Sequence, residues 1–289
     1  MQNYKKYAIP PAQLIIADVP YNVGNNFYGS NPSWYVGGDN KNGESKLAGK
    51  AAFNSDFNFN LYEYFHFCSK MLKKEDEKKM ARGRSSDSPC MIVFCSFEQL
   101  HTLIDAAKKH GFNHYIPLIF CKNYSPQVLK ANMRPVGAVE YALLLYREKL
   151  PKFRNGLQID ENGKNIRGTG KMVFNWFNGG NEEEWGNTYY SNGSYFMWSK
   201  DGKEVPKIHP SQKPISVLKR LIEIFTDEGD VVIDPCAGSG STLRAAFELG
   251  RSAYGFEIDR NFYQKAKDEM LVFERNNQIS FADIPGVMP

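Results

Sequence analysis

The apolar positions of this chain fall into short unbroken runs separated by stretches in which they recur every three or four residues. Ile15-Ile16-Ala17, Cys90-Met91-Ile92-Val93-Phe94-Cys95, Tyr115 to Cys121, Tyr141 to Tyr146 and Val231-Val232-Ile233 are such runs, and continuous apolar runs of this length mark strands covered on both faces. Between them, Phe57 to Lys74 carries Phe57, Leu61, Tyr64, Phe65, Phe67, Cys68, Met71 and Leu72 at helical spacing. That spacing predicts an amphipathic helix lying on a sheet. A second helix is predicted over Phe97 to His110, started by Ser96 as a cap and stopped by Gly111. Near the C-terminal end, Ile215, Leu218, Leu221, Ile222 and Phe225 share one helix face; Thr242 to Leu249 is a helix stopped by Gly250, Ala253 to Ile258 a strand ending in acids, Arg260 to Arg275 a helix, and Ile279 to Ile284 a last short strand. Fully apolar strands in alternation with helices predict an α/β fold built on a doubly wound sheet.

Two long segments break this texture. Asn22 to Asp56 is crowded with Asn, Gly and Ser but carries Phe27, Tyr28, Trp34 and Tyr35, and a loop of that length is a candidate lid. Arg147 to Val205 is short-pieced, rich in aromatics and without long apolar runs, and it holds Trp176, Trp185 and Trp198. It reads as an insertion rather than as more sheet. The expected division is therefore 1–146 and 206–289 as two halves of one domain, with 147–205 inserted between them. Lys73 to Pro89 and Lys122 to Gly137 are polar connections.

A net charge of +4 permits a polyanionic partner without indicating one. Five cysteines, an odd number with no Cys-x-x-Cys spacing, fit reduced buried thiols and give no zinc signature. No basic segment leads into a long apolar one at the N-terminus and no 18 apolar residues run together, so neither a signal peptide nor a membrane span is expected, and the location expected is cytoplasmic.

Candidate chemistry sits at two strand ends. Asp18-Val19-Pro20-Tyr21 follows the first apolar run, and Pro20 must end the strand there. Such a turn can offer a carboxylate, a carbonyl and a ring to a flat, amine-bearing substrate, but its composition is common enough to decide nothing alone. The stronger signal is Asp234-Pro235-Cys236-Ala237-Gly238-Ser239-Gly240-Ser241-Thr242, a strand that delivers an acid into a turn with two glycines ahead of a helix start. Backbone can approach a ligand closely there and helix N–H groups point at it. It is not a P-loop, and Leu243 replaces the third glycine of the dinucleotide fingerprint. Glu257, 19 residues beyond Gly238, ends the next strand where a carboxylate can hold ribose hydroxyls. An adenosine with a small charged tail fits this better than a pyrophosphate.

Together with His209-Pro210-Ser211-Gln212-Lys213-Pro214, these blocks resemble the S-adenosylmethionine-dependent DNA amino-methyltransferases, in the β-class order that puts the Asp-Pro-Pro-Tyr turn before the cofactor turn. The resemblance implies a Rossmann-like sheet with an inserted target-recognition region, S-adenosylmethionine as cofactor, and DNA as partner, with a cognate restriction endonuclease as a further one. It assigns Asp18, Val19, Pro20 and Tyr21 to an adenine flipped out of the helix, Asp18 and the Val19 carbonyl accepting from its amine and Tyr21 stacking on its ring. It assigns Asp234, Cys236, Ala237, Gly238, Gly240 and Thr242 to the cofactor turn, Glu257 to the ribose, and Ser211 and Lys213 to the carboxylate side of the cofactor. Arg154, Lys164, Arg167 and Lys171 are candidates for phosphates. Val19 departs from the family's first proline. The family's Gly-Asp strand ahead of the catalytic turn has no counterpart in the thirteen residues before Leu14; Ile279 to Ile284 is expected to supply that strand, bringing Asp283 to the cofactor's adenine. Asp rather than Ser at the head of the turn favours adenine-N6 over cytosine-N4 transfer; cytosine-N4 methylation, or a nucleic-acid-binding protein of low catalytic power on the same scaffold, are the alternatives.

Overall fold

The structure is a computed structural model that describes residues 7–20, 59–75, 87–122, 135, 137–170, 172–177, 201–209 and 211–272. Tyr21, the loop over Asn22 to Asp56, Trp185, Trp198 and the strand expected at Ile279 to Ile284 with Asp283 lie outside the described residues.

Among the described residues, seven strands form one sheet. They are β1 (Leu14–Asp18), β2 (Cys90–Cys95), β3 (His114–Cys121), β4 (Val139–Tyr146), β5 (Trp176–Phe177), β6 (Val231–Asp234) and β7 (Ser252–Gly255), and they stand in the order β5-β3-β4-β2-β1-β6-β7. β2, β1, β6 and β7 are mutually parallel, whereas β4 runs antiparallel between β2 and β3. Side chains alternate between faces with the period of two that a strand imposes. Leu14, Ile16, Ile92, Phe94 and Val232 join the core on one face, and Ile15, Ala17, Met91, Val93 and Ile233 the core on the other.

The helices are α1 (Leu61–Met71), α2 (Leu100–Lys108), α3 (Ile215–Phe225), α4 (Ser241–Glu248) and α5 (Arg260–Lys265). α1 and α2 cover the Ile15 face and α3 and α4 the Leu14 face, which is the doubly wound arrangement. α1 begins later than its apolar spacing alone predicts because Asn60 caps it, its side chain accepting from the N–H groups of Tyr62 and Glu63 at 3.1 and 3.2 Å. Chain order runs outward from β1 to β2 on one side and from β6 to β7 on the other, so a crevice opens at the carboxyl ends of β1 and β6. Both candidate turns leave the sheet at that crevice.

The described part of the segment read as an insertion is tied back to the rest of the fold. Trp176 and Phe177 add an edge strand beside Ile119 and Phe120. At the opposite end of the sheet from the crevice, the buried Lys152 ammonium pairs with Asp227 at 2.8 Å and Asp230 at 2.7 Å. Arg154, a candidate for phosphate contact, is instead held by Asp227 at 2.6 Å and Asp87 at 3.1 Å.

Candidate active site

Asp18 is the last residue of β1, and the turn after it is pinned on both sides. The Val19 N–H donates to the Phe94 carbonyl at 3.4 Å. The Gln99 side-chain amide donates to the Pro20 carbonyl at 2.8 Å, while its own carbonyl accepts from the Ser96 N–H at 3.1 Å. Val19 gives more than a carbonyl: its side chain is buried in the core on the α1 face. A valine in place of the first proline thus anchors the turn by packing.

Lys213, just ahead of α3, reaches across the crevice. Its ammonium stands 2.5 Å from Asp18 Oδ2 and 3.2 Å from Glu140 Oε2, and lies over the Phe94 ring at 5.2 Å from its centre. Lys122 pairs with the other side of Glu140. Burial works against the charge on Lys213, but Asp18 and Glu140 outweigh it and hold the ammonium above the ordinary lysine value. Burial likewise opposes ionisation of Glu140, and Lys213 and Lys122 reverse the sign and lower it. Lys213, assigned from sequence to the cofactor's carboxylate side, therefore spends its charge first on Asp18.

The second turn follows β6. Asp234 is buried, accepts from the Cys236 N–H at 2.9 Å and bonds Thr242, yet burial still pushes its carboxyl from 3.8 up to about 7. Gly238 and Gly240 take φ of +50° and +79°, which side-chain-bearing residues rarely adopt. The Gly240 position starts α4. Glu257, two residues past β7, accepts from the Gly238 N–H at 2.8 Å and the Asp259 N–H at 2.7 Å, and burial raises it above the ordinary carboxylate value despite those bonds. Its neighbour Ile258 is 88% exposed, an apolar side chain left bare beside that acid.

The His209 to Pro214 block joins the two turns. The His209 ring packs on Phe262 at 4.6 Å and its Nδ1 accepts from the Ser211 N–H at 3.3 Å, with the Ser211 hydroxyl at 3.0 Å. Burial, and then the Lys213 charge, push that imidazole down to about 4. A Cβ on Gly238 would lie 3.9 Å from the His209 ring. The block therefore touches the glycine turn at one end and Asp18 at the other.

Sequence reasoning missed Gln99, Glu140 and Lys122, whose roles depend on strand pairing. Gly255 was missed too. A Cβ there would stand 2.7 Å from Leu243 Cδ1 and 3.0 Å from Ala237 Cβ, so the leucine at the third-glycine position of the turn moves the need for a glycine onto β7.

A crevice at a strand-order reversal, with a glycine turn at a helix start and an acid at the end of the next strand, is the arrangement in which a Rossmann-like sheet binds a nucleotide. Residues 12–268 match the family model described as DNA methylase, and the chain belongs to that family of N6/N4 DNA methyltransferases. The chain is 26% identical over 270 residues to the DNA adenine methyltransferase YhdJ of Escherichia coli, covering 89% of this chain and 76% of that protein. Its fold is similar to that of M1.HpyAVI, solved as a complex with SAM, at TM-score 0.55 and 19% identity over 94% of this chain and 93% of the other. It is similar in fold also to the cytosine-N4-specific PvuII DNA methyltransferase, at TM-score 0.50 and 16% identity over 96% and 86%. The methyl donor of the family is S-adenosylmethionine, and the left-handed glycines, the helix start beside them and the Glu257 carboxylate fit its amino-acid tail and ribose.

Proposed function

We propose that this chain methylates the exocyclic N6 amine of an adenine extruded from DNA. The observation that carries the reading is the position of Asp18, at the carboxyl end of β1 beside the cofactor turn, its carboxylate tied by Lys213 and the turn behind it clamped by Gln99. S-adenosylmethionine, bound over Asp234 to Thr242, supplies a methyl group on a positively charged sulfur. Asp18 and the Val19 carbonyl accept from the adenine amine and hold its nitrogen towards that methyl. When bound, the cofactor would supply that methyl by breaking its C–S bond, leaving as a neutral thioether while the C–N bond forms; Asp18 and the Val19 carbonyl would strengthen their hold on the amine as it gains positive charge, before its proton leaves to solvent. Placement and complementary charge, rather than a covalent intermediate, supply the rate.

Tyr21 is proposed to stack on the flipped base, Glu257 to hold the ribose hydroxyls, and Ser211 with Lys213 to meet the cofactor's carboxylate while Lys213 keeps Asp18. Ile279 to Ile284 is proposed to lie beside β7 and bring Asp283 to the cofactor's adenine. The loop over Asn22 to Asp56 is proposed as the lid and 147–205 as the target-recognition region. The choice of adenine rests on Asp at the head of the turn.

The test is incubation of purified protein with unmethylated DNA and S-adenosylmethionine carrying a labelled methyl group, followed by digestion to nucleosides. Label is expected in N6-methyl-2'-deoxyadenosine; label in N4-methyl-2'-deoxycytidine would transfer the reading to cytosine, and absence of label from DNA would remove it.

A further inference from the structure

Glu140 has no place in the sequence motifs, yet the sheet register puts it in line with the catalytic acid. Asp18 on β1 pairs with Phe94 on β2, Phe94 pairs with Ala142 on β4, and Glu140 lies two residues from Ala142, opposite Phe120 on β3. Phe94, Ala142 and Phe120 all belong to the core on the α3 face, so by the alternation of side chains Glu140 points to that face as well. Two strand spacings separate β1 from β4, about 10 Å, too far for the two acids to share a hydrogen bond. Lys213 closes the gap from above Phe94, 2.5 Å from one acid and 3.2 Å from the other.

We propose that Glu140 is a positioning residue for methyl transfer: through Lys213 it sets where the Asp18 carboxylate stands. The charged and titratable groups described around the ammonium fit this role. Burial, and then Asp18, push the Cys95 thiol at the end of β2 up to about 12, and His209 is pushed down to about 4; both are neutral at working pH. Two acids, Asp18 and Glu140, then face two cations, Lys213 and Lys122. Without the Glu140 charge Lys213 belongs to Asp18 alone, and the carboxylate that must receive the amine turns with it.

The inference rests on the proposed methyl transfer, and its test separates the two. Glu140→Gln keeps the shape and removes the charge. It is expected to lower kcat about 10- to 100-fold, the scale of a small misplacement at a reacting centre. In ligand-free protein labelled with 15N-lysine, the Lys213 ammonium resonance, identified by its loss in Lys213→Met, should move and exchange its protons faster. An unchanged kcat, or an unmoved resonance, would overturn the proposal. So would recovery of kcat in Glu140→Gln/Lys122→Met, because Glu140 would then only be neutralising Lys122. Should Glu140→Gln fail to fold, Glu140→Asp, which keeps the charge on a shorter arm, is expected to show a kcat between wild type and Lys213→Met with the same shifted resonance; wild-type kcat there would overturn the proposal. A wild-type protein that transfers no methyl group removes the functional reading and this role with it, whereas an active wild type beside a fully active Glu140→Gln removes this role alone.

Discussion

Replacing Asp234 by asparagine should stabilise the ligand-free protein at high pH and do so less at low pH. Burial lifts the folded-state carboxyl from its ordinary 3.8 to about 7. Between those two values the folded chain keeps a proton that the unfolded chain has lost, so the stability contribution of Asp234 falls as pH rises through this window and levels off above about 7. At 1.36 kcal/mol per pH unit the full gap is worth about 4 kcal/mol, of which about 2 to 3 kcal/mol develops between about pH 5 and about pH 8. Asparagine has the same shape and does not titrate. Comparing the two pH values cancels whatever the amide does to the bonds with Cys236 and Thr242, since those changes are present at both. Thermal unfolding of wild type and Asp234→Asn should therefore show the variant gaining on wild type by about 4 to 8 °C from the lower pH to the higher. Its affinity for S-adenosylmethionine should fall at the same time, a binding site holding a costly group for its ligand. An equal difference in melting temperature at both pH values would refute the burial argument.

Three further outcomes follow from the same geometry. Lys213→Met leaves Asp18 and Glu140 without the cation they share, and breaking a buried pair of this kind should cost about 3 to 5 kcal/mol in a denaturant titration; a loss below about 1 kcal/mol would contradict the geometry. Gln99→Ala frees the Pro20 carbonyl and should cost only about 1 kcal/mol of stability while lowering kcat about tenfold, measured by methyl transfer at saturating cofactor. Gly255→Ala forces a Cβ against Leu243 and Ala237, so it should cost about 1 to 3 kcal/mol and weaken cofactor binding through the displaced turn, read by melting and calorimetry.

The parts of the fold that were legible in the sequence are those set by local pattern. Cys90 to Cys95 reads as a buried strand because every position is apolar, and it is buried at every position. Ser96 stands at the N-cap position of a short 3-10 turn over Phe97 to Gln99 rather than of α2, and its side chain makes no capping bond there; the Gln99 side chain accepts from the Ser96 N–H instead. The two glycines of the turn after β6 announce their left-handed backbone by residue type. Contacts set by register could not be read in this way. Glu140 looks like an interrupting acid at the start of an apolar run until β4 is paired with β2, and only then does it stand beside Lys213. Trp176 and Phe177 carry too short an apolar run to signal a strand, and they become one because the β3 edge offers them partners. Lys213 was noticed for its motif, but its partner Asp18 lies far away in sequence, and no spacing rule connects them.

Long-read sequencing of DNA from cells expressing the wild-type chain, set beside cells expressing Asp18→Ala, tests the central claim most directly. N6-methyladenine at one recurring sequence in the first sample and its absence in the second is the predicted result; complete occupancy of that sequence would also be the pattern expected of a chain that protects DNA from a cognate endonuclease. N4-methylcytosine in its place, no modified base at all, or N6-methyladenine that survives in Asp18→Ala would contradict the account.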